Sequence, residues 1–227
     1  MIGIIGAMEA ETNALIAAIE EPKTECISGI TYVSGCLCGR EVVVATCGIG
    51  KVYAAICAQT MILRYAPTLI VNTGVAGTLC EELGIGDVAI ATELVQHDMD
   101  TSPIGDPVGL VSGINKIYFE ADADSVDKFS EILATQGINA VKGRIASGDQ
   151  FVARAEVKDR IRSQFGAIAC EMEGAAIAHV AAVNGVPVAV LRTISDSADG
   201  DAVSDYPAFV GEAAARSVSV LLAFLSA

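Results

Sequence analysis

Short apolar runs that alternate with segments of helical spacing predict an α/β domain built on a mostly parallel sheet. Two adjacent early runs, and a second pair at 87–97, predict that this sheet is mixed rather than purely parallel. A mean hydropathy of +0.52, high for a soluble protein, fits strands and helices that are covered on both sides.

The elements follow in chain order. Ile2–Gly6 reads as a strand ending in glycine, and Glu9–Ile19 as a helix with Leu15, Ile16 and Ile19 at helical spacing. Thr31–Gly35 and Glu41–Thr46 read as neighbouring strands across a Cys38-Gly39-Arg40 turn. Lys51–Arg64 is expected as a helix, entered through Gly48-Ile49-Gly50 and stopped before Pro67. Leu69–Asn72 is a buried strand running into Thr73-Gly74-Val75-Ala76-Gly77, and Asp87–Ala91 and Glu93–His97 are two more strands. Residues 99–115, with two prolines and three glycines, read as a loop. Ser125–Gln136 is a helix and Val141–Ser147 a strand; Glu156–Phe165 is a helix and Ala167–Cys170 a strand. Glu173–Asn184 is an apolar helix, Val188–Ile194 a strand, and Tyr206–Leu225 the last helix.

Composition narrows the function. The chain has 227 residues, no linker-like stretch and no internal repeat, which predicts one domain over 1–227. Fourteen Lys and Arg against 28 Asp and Glu give a net charge of −14, a field that repels nucleic acid and anionic membranes. Tryptophan is absent and aromatics are 5%, too few for base-stacking platforms. The richest apolar stretch, Ala175 to Leu191, is broken by His179, Asn184, Gly185 and Pro187, short of the ~18 unbroken residues of a membrane span. The opening MIGIIGAMEAE has no basic region before its apolar run, so a secretory signal is not expected. Seven cysteines without paired spacing read as reduced thiols of a cytoplasmic protein.

In open α/β sheets, ligands bind beyond the carboxyl ends of strands. Five such ends carry polar or glycine-rich sequence: Gly6–Glu11, Gly48–Gly50, Thr73–Gly77, Glu171–Glu173 and Ser195-Asp196. Gly48-Ile49-Gly50-Lys51 resembles a phosphate loop only superficially, since Ala45 and Val52 stand where such a loop needs Gly and Ser or Thr. Glu171-Met172-Glu173 places two carboxyls inside an apolar run. One of them, Glu173 by position, could serve only to complement a helix dipole, but two together point to a site. Val188–Ile194 delivers Arg192 and then Ser195-Asp196. Of Glu9 and Glu11, one is expected to face solvent. His97-Asp98-Met99-Asp100 could hold a metal, yet the only other histidine, His179, sits on an apolar helix as a core residue; no metal and no cofactor are expected. No Gly-x-Ser-x-Gly elbow supports a serine hydrolase.

Taken in order, Ile2–Glu11, Cys47–Val52, Asn72–Gly77, Ser147–Phe151, Glu171–Ala176 and Arg192–Asp196 resemble the bacterial 5′-methylthioadenosine/S-adenosylhomocysteine nucleosidases of the purine nucleoside phosphorylase superfamily. The resemblance implies a three-layer α/β/α fold with a central mixed sheet, a homodimer, and hydrolysis of an N-glycosidic bond. It implies that Asp196 protonates the leaving adenine and that Glu11 activates water, a division of labour familiar from inverting glycosidases. Arg192 would help to place that water or Glu11. Glu173 would hold the ribose hydroxyls with Met172 packed on the sugar, and Glu171 would stand beside them. Phe151 would stack on adenine, the Val152 backbone would read its edge, and Ser195 would adjoin the acid. Met8, Ile49, Ala76, Gly77 and Tyr206 would line the pocket, and Ile104 of the second copy would cover the 5′ group. Val75, Ser112 and Tyr206 depart from the family's usual residues, which bears on the 5′ substituent rather than on the reaction. Three alternatives stay open at this stage: a phosphate-dependent phosphorylase, a nucleosidase of 6-amino-6-deoxyfutalosine, and a nucleoside sensor without turnover.

Overall fold

A computed structural model describes residues 1–227. Its strands are β1 Ile2–Gly6, β2 Glu20–Ile27, β3 Ile30–Leu37, β4 Arg40–Thr46, β5 Leu69–Thr78, β6 Val88–Gln96, β7 Tyr118–Glu120, β8 Ala140–Ser147, β9 Ala167–Glu171 and β10 Val188–Asp196. Its helices are α1 Glu9–Ala17, α2 Lys51–Tyr65, α3 Ala123–Thr135, α4 Ala155–Phe165, α5 Gly174–Asn184 and α6 Ala202–Ser226. The strands form one ten-stranded mixed sheet ordered β10-β6-β8-β9-β5-β1-β4-β3-β2, with β7 off this path as an antiparallel partner of β6. Because β10 also pairs in parallel with β5, strands β5, β10, β6, β8 and β9 close into a ring, and β1, β4, β3 and β2 extend from it as an open wing.

Alternation along the strands explains the high hydropathy. Ile5, Val43, Ile70 and Val190 face one side, packed with Ala54, Ala58 and Met61 of α2 and Ala175, Ala178 and Ala181 of α5. Their neighbours Ile4, Val42, Val44, Val71 and Leu191 face the other, against Leu15 of α1, Phe129 of α3 and Val218, Leu221 and Phe224 of α6. Helix α4 closes a smaller core at β9 through Val157, Ile161 and Phe165. Helix α6 is long and apolar enough to cross a membrane, but its apolar side packs on β10 and β5.

Several expectations need correction. The strand expected over Leu69–Asn72 is longer: β5 continues through Thr73–Gly77 to Thr78. The pair 87–91 and 93–97 is one strand, β6, interrupted only by a register shift between Ala91 and Glu93 opposite β8. Strands β2 and β7 were not expected. β2 carries the sequence EEPKTECI, is almost wholly exposed, and is held by pairing with β3 and by Glu25, which accepts from Arg64 and Tyr65 of α2. Helix α6 begins four residues before Tyr206 and keeps Pro207 inside it.

Candidate active site

A cavity of about 440 Å³ opens where β1, β5, β9 and β10 end, within the usual size of a small-ligand pocket. Ala7, Met8 and Glu11 supply one wall, Val75, Ala76 and Gly77 of β5 the floor, and Cys170, Glu171, Met172 and Glu173 a second wall. Ser195 and Asp196 close the far end; Ile49, Phe151 and three residues of α6, Val203, Tyr206 and Pro207, form the rim. Four of these residues are acidic and none is Lys, Arg or His.

Glu11 is 3% exposed, while Glu9 faces solvent. As the third residue of α1, Glu11 turns its carboxylate back to the helix start: Ala7 N and Met8 N donate to Oε2 at 2.7 and 3.0 Å. Val75 N donates to Oε1 at 3.2 Å. Gly74 is required here, because a Cβ at that position would lie 2.5 Å from Glu11 Oε1. Burial raises the Glu11 pKa, while Arg192 and the three N–H donors pull it back.

It is Glu171, not Glu173, that serves the start of the helix. Glu171 caps α5: its Oε2 accepts from Glu173 N at 3.1 Å and Gly174 N at 2.7 Å, and its Oε1 accepts from Ser147 Oγ. Arg192 Nη2 pairs with the same Oε2 at 2.5 Å and also donates to Asn72 Oδ1. Glu173 is left free of the helix. Its Oε1 accepts only from Gly50 N, at 2.8 Å, and burial followed by the neighbouring Glu171 pushes its pKa well up. Arg192, 1% exposed, therefore lies behind the wall and not in the cavity; it reaches Glu11 and Glu173 only through its field.

Asp196 packs against Gly77 as Glu11 packs against Gly74; a Cβ at Gly77 would lie 2.6 Å from Asp196 Oδ1. Gly74 and Gly77, the two glycines that make room for these carboxyls, lie three residues apart on β5, roughly 10 Å along the strand. Ala198 N donates to Asp196 Oδ1 and Ser195 Oγ to Oδ2, both at 2.9 Å. Burial raises the Asp196 pKa, the two hydrogen bonds lower it, and the negative charges of Asp205 and Asp199 raise it further. Phe151 and Tyr206 meet edge to face at 5.4 Å between ring centres, and the Tyr206 hydroxyl touches Met8 Sδ at 3.1 Å.

Two other expected residues lie apart. Val152 is buried and borders a small adjoining hollow with Phe151 and Asp196. Ile104, on a short 3₁₀ turn, is 82% exposed and does not reach this chain's own cavity. Ala7, Cys170, Val203 and Pro207 line the cavity without having been singled out, since small or apolar residues announce no chemistry in a sequence. The glycine turn before α2 is no phosphate cradle. Gly50 N is taken by Glu173 and Lys51 N by Asp149 Oδ1 at 2.7 Å, while Lys51 Nζ pairs with Asp98 at 2.6 Å. His97 is buried and joins no group of three potential metal ligands; His179 stacks on Phe119 at 5.1 Å as a core residue.

The family model of the phosphorylase superfamily matches residues 1–226. A protein of Shewanella halifaxensis called 5′-methylthioadenosine/S-adenosylhomocysteine nucleosidase is 39% identical over 226 residues, 99% of this chain and 98% of the relative. The chain belongs to this nucleosidase family. Among solved structures, the S-adenosylhomocysteine nucleosidase of Streptococcus pyogenes, in complex with 5-methylthiotubericidin, superposes with a TM-score of 0.95 at 37% identity, covering 99% of this chain and 95% of that one. The futalosine hydrolase of Helicobacter pylori gives 0.94 at 37% identity, over 99% and 96% of the two chains. The family's fold, a mixed sheet between helices, is the one described above.

Proposed function

We propose that this chain hydrolyses the N-glycosidic bond of 5′-methylthioadenosine and S-adenosylhomocysteine, and of 5′-deoxyadenosine, releasing adenine and the 5′-substituted ribose. One observation carries the choice of water over phosphate: four carboxyls and no cationic side chain line the cavity. Nearby helix-terminal amides that could receive a phosphate are occupied by Glu173, Asp149 and Glu171. A neutral water and a ribosyl group that gains positive charge suit such a wall; a phosphate dianion does not.

In the reaction, Asp196 gives a proton to N7 of adenine as the electron pair of the C1′–N9 bond leaves with the base. Water bonds to C1′ and loses its proton to Glu11. Both carboxyls then restore their protonation with solvent. Burial raises the pKa of both carboxyls, which favours the protonated Asp196 that an acid requires and makes Glu11 a stronger proton acceptor, while Arg192 and three N–H donors partly offset the rise at Glu11. Glu173, with Oε2 uncommitted, accepts from the ribose hydroxyls, and Met172 packs on the sugar. Phe151 stacks on the base beside the Val152 backbone, and Ser195 steadies Asp196. Met8, Ile49 and Tyr206 border the 5′ substituent. Arg192 acts at a distance, by fixing Glu171 and offsetting the acidic charge.

The working form in this reading is a homodimer. The exposed apolar side chains Val52, Tyr53, Ile56 and Leu63 of α2 supply a face to bury, and Ile104 is free to close a second copy's pocket. The reaction would serve methionine salvage in the cytoplasm. The test is purified protein with 5′-methylthioadenosine, S-adenosylhomocysteine, 5′-deoxyadenosine and 6-amino-6-deoxyfutalosine in phosphate-free buffer, with free adenine as the readout. Release from the first two supports the proposal. Release from the futalosine derivative alone would replace it with the second reading, which the likeness to the futalosine hydrolase favours.

A further inference from the structure

The loop that carries Asp196 into α6 is clasped from outside the cavity. Ala198, directly after Ser197, has φ +52°, a left-handed conformation that costs a residue with a Cβ of order 1 kcal/mol. Ala198 N lies 2.9 Å from Asp196 Oδ1, and because this N–H shares one planar peptide group with Ser197 C=O, whatever holds that carbonyl also aims the N–H. Ala198 is fully buried, so its amide has little freedom once the loop is fixed. The loop is fixed on both sides. From α4, Lys158 Nζ donates to Ser197 O at 2.7 Å and pairs with Asp199 Oδ2 at 3.5 Å. From α6, Asp205 Oδ2 accepts from Ser197 Oγ at 3.4 Å. The Lys158 side chain is only 19% exposed, so its bond to Ser197 O is shielded from water. The α4 contact is the shorter and the charge-assisted one.

We propose that Lys158 is the positioning residue of the Asp196 carboxyl: by holding the Ser197 carbonyl it fixes the peptide plane whose opposite edge, the Ala198 N–H, donates to Asp196. The proposal rests on the reading of Asp196 as the proton donor. Without the clasp, the loop relaxes, Asp196 loses its Ala198 donor, and the carboxyl swings from the direction of adenine N7. A displacement of this kind costs roughly ten- to a hundredfold in rate while leaving substrate contacts made by Phe151, Met172 and Glu173 in place. The other charged or titratable groups around Asp196 are Asp199 on the loop, Asp205 and the Tyr206 hydroxyl on α6, and the Cys170 thiol on β9. Removing Lys158 deprives this acidic cluster of its cation and Asp196 of an N–H donor. Both changes disfavour the carboxylate, so the Asp196 pKa rises.

The experiment compares wild type with Lys158→Met, Lys158→Gln and Lys158→Arg by kcat, KM, pH profile and melting temperature. Wild-type release of adenine from 5′-methylthioadenosine is the control; its absence overturns the proposed reaction itself. Given that turnover, Lys158→Met and Lys158→Gln are expected to lower kcat roughly ten- to a hundredfold with KM within about threefold. The alkaline limb of kcat should move to higher pH, and Lys158→Arg, which keeps a cationic donor, should restore most of the rate. Lys158→Met fills the same volume without a donor, and Lys158→Gln keeps a polar end that is too short, so either folded variant decides the matter. A folded variant with kcat within about threefold of wild type and an unmoved alkaline limb overturns the proposal, whatever its melting temperature.

Discussion

The two ends of the cavity are held by different parts of the molecule. At the Glu11 end, carboxylates are fixed by the scaffold: Glu11 by three backbone N–H groups at the ends of β1 and β5, Glu171 by the start of α5 and by Arg192 of β10. At the Asp196 end, the carboxyl is held by a hydroxyl and by one amide of a loop strung between α4 and α6. The first end is part of the core, and altering it should disturb folding together with activity. The second hangs from the core, and altering it should disturb activity alone.

The largest effect is expected at the second end. Asp196→Asn keeps the acceptor for Ala198 N but cannot deliver a proton, so kcat should fall by roughly 100-fold or more with the melting temperature nearly unchanged. Kinetics and calorimetry on the one variant check both halves; a large drop in melting temperature would erase the contrast. Next comes Arg192→Met at the first end. It strands the Glu171 carboxylate, whose side chain is 2% exposed, without its cation. The expected cost is on the order of 3 kcal/mol, or roughly 6–12 °C of melting temperature for a chain of this length. Unchanged stability in denaturant melts would mean that the pair is not part of the core's support.

A smaller, pH-dependent effect sharpens the contrast. Glu173 has its pKa raised from 4.5 by burial and by Glu171, so its ionisation opposes folding. Its contribution is most favourable below the unfolded value and is lost as pH rises through the folded one. Glu173→Gln should therefore melt a few degrees above wild type at neutral pH, and the gap should close as pH falls below about 4.5. Melting curves across that range that run parallel would show that Glu173 is not destabilised by its surroundings.

Much of this arrangement is legible in the sequence, for a physical reason. A polar or glycine-rich strand end inside an apolar run is costly unless something uses it, and all five such ends border the cavity or its walls. Gly74 and Gly77 lie within β5, beyond the Asn72 at which the apolar run ends, and each leaves room for a carboxyl that the sequence does not place. That Glu171 rather than Glu173 serves the helix start does not show in the sequence, because Arg192 and Ser147, which hold Glu171, are distant along the chain. Strand β2 shows no buried face, so no alternation marks it; only its pairing with β3 makes it a strand. Helix α6 starts at Ala202, before the expected Tyr206. The structure keeps Pro207 within α6 and uses it to line the cavity.

The central claim is that water, admitted by an acidic cavity, attacks the sugar. It is tested most directly by running the reaction on 5′-methylthioadenosine in ¹⁸O-labelled water with and without added phosphate, and analysing the sugar by mass spectrometry. The account predicts methylthioribose carrying one ¹⁸O at C1 and a rate indifferent to phosphate. Methylthioribose 1-phosphate, formed at a rate that rises with phosphate, would contradict it.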